Sequence, residues 1–154
     1  MKLHIGIDPG ASGGIAFIPD NNPAKAWAVK MPETLADLWD ELNPNAGRAG
    51  DEMFGGFSNV HCCLEKVHSM PGQGVASSFK FGQGFGHLEM ALTAACIPFT
   101  YATPQKWQKE MQCLTGGDKN VSKARAQQLF PHLKISHALA DALLIAEFCR
   151  RTNP

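Results

Sequence analysis

Apolar positions recur along the chain in two rhythms, and the change from one to the other sets out the elements. "LHIGID" (3–8) is apolar almost throughout, as a strand covered on both faces is. A glycine-rich turn separates it from "GGIAFIPD" (13–20), which reads as a hairpin partner. "KAWAVKMP" (25–32) alternates and makes a third strand. In 32–43 the rhythm becomes helical, with Leu35, Leu38, Trp39 and Leu42 on one stripe and Glu33 or Thr34 at the start. Residues 43–58 are rich in Gly, Asn and acids and read as an exposed loop. "NVHCCLEKV" (59–67) is a buried strand, and 69–78 is a Gly/Ser loop. Residues 79–96 read as a helix despite three glycines. Gly82 and Gly86 lie four apart, a spacing that would let one helical face approach a sheet closely. "IPFTYATP" (97–104) is a fifth strand. Three helices follow: 104–111 with a proline in its first turn, 122–130 with Ser122 as cap, and 136–151. Three consecutive strands, then strand–helix alternation, predict an α/β fold. Its sheet is mixed and five-stranded, the first three strands antiparallel, with helices on its faces. No repeat or linker divides residues 1–154, so one domain is expected.

Composition changes the picture little. The 44% hydrophobic content is ordinary for a globular chain, and no apolar run approaches the ~20 residues of a membrane span. The opening residues run straight into a strand without a signal-peptide pattern, so a cytoplasmic location is expected. Five cysteines (Cys62, Cys63, Cys96, Cys113, Cys149), mostly on apolar segments and without metal-ligand spacing, read as reduced thiols. Charge is more informative. The formal net charge is zero. Yet residues 101–134 carry Lys106, Lys109, Lys119, Lys123, Arg125 and Lys134 against only Glu110 and Asp118. That segment is either a basic face hidden within a neutral total or a solvated helix surface.

Three acids stand where the pattern predicts burial. Asp8 ends the first strand, Glu65 ends the fourth, and Asp141 lies among Ala140, Ala142, Leu143 and Leu144 in the last helix. His137 precedes Asp141 by four residues, so the two share a helical face. Each has an ordinary explanation: a turn at Asp8-Pro9-Gly10, a pairing of Glu65 with Lys66 or Lys80, and of Asp141 with Arg150 or Arg151. Together they point elsewhere. Ionised carboxylates are costly to bury unless paired or bound to metal, and four ligands converging at one sheet edge suit Mg²⁺ or Mn²⁺.

Five motifs in order, "IGIDPGASGGIAF", "LEKVHSMPGQG", "FKFGQGFGHLEMAL", "TPQKWQKEM" and "HALADALLIAEF", resemble the RuvC family of Holliday junction resolvases. The likeness is greatest to its phage-type branch, within the ribonuclease H and integrase superfamily. It runs from about residue 3 to about residue 148. The resemblance implies a ribonuclease H-like fold and a catalytic set of Asp8, Glu65, His137 and Asp141, which also serve as metal ligands. Two Mg²⁺ or Mn²⁺ ions ~4 Å apart would be bridged by Asp8, with Glu65 and Asp141 holding one each. His137 would bind metal or position the attacking water. Two features depart from the well-known bacterial pattern: the last pair is four apart in place of three, and its first member is a histidine in place of an aspartate. Where the family has a stacking aromatic, this chain has His68. Lys123 stands where relatives carry a functional lysine, and Lys106 or Lys109 supplies another. With Lys80 and Lys119 these make up the candidate DNA contacts. The implied partner is four-way branched DNA, and its two-fold symmetry implies a homodimer.

Two other readings are open to this sequence. One is a less selective nuclease for branched DNA, or another ribonuclease H-like enzyme. The other is an actin- or sugar-kinase-like ATPase, whose first strand shares the Asp and glycine-rich hairpin. Such proteins need two domains of this kind and a second phosphate loop, for which 154 residues leave little room.

Overall fold

A computed structural model describes residues 1–43, 59–67, 72 and 74–153. Most of the predicted 43–58 loop, and His68, lie outside the described residues. Five strands form one sheet: β1 (Lys2–Asp8), β2 (Gly14–Pro19), β3 (Trp27–Lys30), β4 (Asn59–Glu65) and β5 (Phe99–Ala102). Their order is β3-β2-β1-β4-β5. β1, β2 and β3 are antiparallel neighbours, while β4 runs parallel to both β1 and β5. The expected mixed sheet is therefore present. β3 is shorter than expected, because Pro23–Lys25 form a 3₁₀ turn before it.

Alternate residues of β2 and β4 feed two cores, while β1 gives Leu3, Ile5 and Ile7 to one and turns the buried His4 and Gly6 to the other face. Leu3, Ile5 and Ile7 join Ile15, Phe17, Cys62 and Leu64 beneath α1 (Leu35–Leu42) and α2 (Val75–Ala94). The opposite face carries Ala16, Ile18, Cys63 and Ala102. It is covered by α3 (Pro104–Glu110), α4 (Lys119–Leu129) and α5 (His137–Thr152). Nine residues of α5 are buried, from Ala140 to Cys149 with Asp141 excepted. Such a helix lies across the sheet centre, and the sequence permits this at Gly6. A Cβ there would stand 2.1 Å from the Ala146 nitrogen and 2.4 Å from the Ala142 oxygen. Only glycine lets α5 rest directly on β1.

That close approach is not where the helix glycines placed it. Gly82 and Gly86 are exposed, with nothing within 4 Å of a Cβ at either position. α2 also begins four residues early, taking Val75–Ser78 from the expected loop. α1 is capped as expected by Thr34, whose Oγ1 accepts from the Asp37 amide at 3.1 Å. α4 is not capped by Ser122. Asp118 is its cap, accepting from the Asn120 amide at 2.9 Å, and Ser122 is buried within the helix. The five cysteines are free thiols, four buried and Cys96 exposed. Among the described residues no helix is long and apolar enough to cross a membrane.

Candidate active site

Parallel pairing of β1 and β4 is what brings the first two acids together. The register sets Ile7 beside Leu64, so the next residues, Asp8 and Glu65, leave the sheet at the same edge. Their side chains share a hydrogen bond. The turn after Asp8 folds tightly back on it: a Cβ at Gly13 would stand 2.0 Å from the Asp8 carbonyl oxygen. α5 then starts at this edge, and Asp141, on its second turn, faces the pair.

The electrostatics are those of like charges held out of water. Burial raises the Asp8 carboxyl most, and the negative charges of Glu65 and Asp141 raise it further, to about 8. Burial likewise raises Glu65, which is 9% exposed, and Asp141. Opposing forces are few and mostly neutral. The Trp107 indole Nε1–H donates to Glu65 Oε1 at 2.8 Å. Ser122, whose hydroxyl donates to the Lys119 carbonyl at 3.2 Å, also lowers Asp141. Lys119 lowers Asp8 and Asp141 by its positive charge, and His137, exposed at the start of α5, lowers Asp141. Asp141 Oδ1 is buried without a hydrogen-bond partner.

Among the described residues no three His, Cys, Asp or Glu side chains already stand close enough to hold an ion. The donor set nevertheless fits one. Three desolvated carboxylates repel one another, and one has an orphaned oxygen, a combination that a hard divalent cation relieves. Asp8, Glu65 and Asp141 would hold Mg²⁺ or Mn²⁺, with His137 beside them.

The structure separates the candidate lysines. Lys119 is the predicted lysine whose charge reaches the acids. Lys123 is half-buried one turn along α4. Lys109 is exposed at the end of α3, and Lys106 lies 5.9 Å from the Phe148 ring centroid. Lys80 lines a cavity of about 440 Å³ with Gly10, Ala11 and Phe81, next to the turn that follows Asp8. The ordinary pairings considered for the acids do not occur. Glu65 is bonded to Trp107, and Arg150 and Arg151 pair with Glu147 in place of Asp141.

Two residues at the site were not anticipated. Trp107 was legible as the lone large apolar side chain of a polar helix, which must be buried and must find a partner for its N–H. Ser122 carried no such signal, because a serine near a helix start reads first as a cap.

No protein-family model matches the chain, and no curated protein matches it. Solved structures do. Thermus thermophilus RuvC in complex with Holliday junction substrate superposes with a TM-score of 0.63 at 17% identity, covering 99% of this chain and 97% of that one. A second Thermus thermophilus RuvC structure gives 0.58 at 18% identity, covering 94% and 90%. The fold is that of RuvC, a five-stranded mixed sheet of the ribonuclease H-like type with flanking helices.

Proposed function

We propose that this chain is a metal-dependent endonuclease of RuvC type, and on its five motifs a member of the phage-type branch. It resolves four-way DNA junctions by paired, symmetric phosphodiester cleavage. The observation that carries this reading is the meeting of Asp8, Glu65 and Asp141 at one sheet edge, desolvated and, among the described residues, offset in charge only by Lys119 and His137. A structural role for buried acids demands pairing; these are left for a ligand.

In this reading the three carboxylates hold Mg²⁺ or Mn²⁺, which supplies Lewis-acid stabilisation of the charge that builds on the phosphodiester during in-line displacement. Asp8, which feels the charge of both other acids, would be the shared ligand. His137 binds metal or orients the attacking water. Lys119 sits where a positive charge meets the scissile or a flanking phosphate, and Lys106, Lys109, Lys123 and Lys80 contact the arms. His68, just after Glu65, stacks on an unpaired base. A homodimer presents two such sites to a two-fold symmetric substrate. The protein acts in the cytoplasm of a bacterial or phage-infected cell.

The test is incubation with end-labelled four-way, forked and linear duplexes, with Mg²⁺, with Mn²⁺ and with chelator. Symmetric nicks in opposing strands of the four-way substrate, dependent on metal, are expected. Equal cutting of the linear duplex would replace junction resolution by a less selective nuclease. No cleavage of any substrate with either ion would remove the enzymatic reading.

A further inference from the structure

We infer that Trp107 is a positioning residue for the metal site: its indole N–H holds the Glu65 carboxylate in place without neutralising it. The inference rests on the reading of Glu65 as a metal ligand. It begins with how α3 is attached. β5 ends at Ala102, in register with Glu65, and the Lys66 amide donates to the Ala102 carbonyl at 2.8 Å. Thr103 and Pro104 turn the chain at once into α3. Trp107, one turn in, is brought back over the end of β4. Its ring is fully buried, and its Nε1–H lies 2.8 Å from Glu65 Oε1. The far end of α3 is tied to α4 by the Arg125 Nε–H, which donates to the Met111 carbonyl at 2.8 Å. The donor is therefore held on both sides.

The kind of donor matters. A lysine or arginine at this position would form a stronger bond but cancel the charge that a cation must find. An indole N–H donates, never accepts and never titrates in this range. It fixes the carboxylate rotamer, occupies one lone pair of Oε1, and leaves Oε2 and the full negative charge available. Glu65 is also hydrogen-bonded to Asp8, another of the acids at this edge, whereas Trp107 holds it from outside the acidic set. Partners of this type around metal ligands are worth about 10–100-fold in metal affinity.

Two measurements on the full chain test this. In the first, Trp107→Phe removes the N–H and keeps an apolar ring. The Mg²⁺ and Mn²⁺ concentrations for half-maximal thermal stabilisation, without DNA, should rise about 10-fold or more. Junction binding in chelator should be unchanged. The second uses unmodified protein, so it survives a variant that fails to fold. The ¹⁵N-labelled indole resonance of Trp107 should move with Mg²⁺ along the same titration curve as thermal stability. It should cease to do so in Glu65→Gln. A resonance indifferent to metal overturns the inference, as does a folded Trp107→Phe with unaltered metal response. Normal metal responses with no junction cleavage would sink the proposed function and leave this role for Trp107 standing.

Discussion

Helix α5 carries two acids that meet the sheet at opposite ends, and they are treated in opposite ways. Glu147 is 5% exposed and fully paired. The Arg150 Nε–H and Arg151 Nε–H donate to its two oxygens at 2.8 and 2.9 Å, and the guanidinium of Arg150 reaches on to Asp20 at 3.9 Å. Despite burial, these partners hold its carboxyl below the usual range. Asp141, six residues earlier, is held above it, with two other acids for neighbours and one oxygen bonded to nothing. The same helix and the same kind of side chain thus give a closed site at one end and an open one at the other. Burial alone does not mark a functional acid. What marks it is burial for which the protein supplies too little positive charge.

Breaking the open end should have the largest effect. Asp8→Asn keeps the shape and the hydrogen bond to Glu65 but removes one of the three carboxylate charges. Metal-dependent cleavage should fall by roughly three orders of magnitude or more, as for loss of a group acting only in a catalytic unit. Junction affinity in chelator should hold, since the proposed phosphate contacts are made by lysines. Near-normal nicking by this variant, measured at saturating metal, would remove Asp8 from the site. Neutralising the closed end should do the reverse. Glu147→Gln should leave the rate per folded molecule intact and cost about 1–3 kcal/mol, because its arginines are a third exposed and recover water.

Much of this contrast is legible in the sequence. The acids at 8, 65 and 141 stood out because a charge interrupted an apolar pattern, and burial conflicts with charge whatever the fold. The antiparallel first three strands follow from the hairpins, and the mixed sheet from the strand–helix alternation after them. What the pattern did not give was pairing in three dimensions. Glu147 breaks the apolar pattern of the last helix as plainly as Asp141 does, yet the ordinary pairing weighed for Arg150 and Arg151 is with Asp141 alone. Spacing of three and four from Glu147 favours it, and local geometry won. The glycines misled for a related reason. Gly82 and Gly86 satisfy the spacing for close packing, but only tertiary placement decides which glycine is approached, and that is Gly6. Trp107 needed the register of β4 with β5 before its partner could be named.

The two ends should also respond oppositely to pH. Asp8 titrates higher in the folded chain than its ordinary 3.8, at about 8. Its contribution to stability is therefore complete below about pH 4 and is lost as pH rises toward 8. Glu147 is depressed, so its contribution is present above the ordinary carboxylate range and is lost on acidification. His4 and His61, both lowered mainly by burial, add stability as pH rises through their ordinary range and partly mask the Asp8 slope. Differences between variants isolate it. In chelator, the melting temperature of Asp8→Asn relative to the unaltered chain should climb between pH 5 and pH 8. A gain of roughly 10 °C is expected, from ~1.4 kcal/mol per pH unit below the folded value and ~2–4 °C per kcal/mol for a chain of this size. Saturating Mg²⁺ should abolish most of that difference by replacing the proton. Glu147→Gln should show no such alkaline gain. Parallel melting curves for Asp8→Asn and the unaltered chain across this range would mean that Asp8 is not held protonated.

The smallest effect concerns the cations, where the same opposition applies. Arg150 and Arg151 are engaged by Glu147, whereas among the described residues Lys109, Lys119 and Lys123 make no ion pair. A cation already neutralised releases few counterions when DNA arrives, while a free one that meets a phosphate releases nearly one. Lys109→Ala, Lys119→Ala and Lys123→Ala should therefore each flatten the dependence of log K on log salt by ~0.9, for any junction sequence. Arg151→Ala should leave the slope unchanged and lower only stability. Lys119 should differ from the other two in a second respect. Its charge reaches Asp8 and Asp141, so Lys119→Ala should reduce cleavage by more than its loss of binding accounts for. Lys109→Ala should reduce both in proportion. Salt titrations of the four variants, with single-turnover rates at saturating enzyme, separate these outcomes. Unaltered slopes in all three lysine variants would move the DNA path to α2 and Lys80. An unaltered slope for Lys119→Ala alone, with cleavage still impaired, would confine that lysine to the carboxylates it faces.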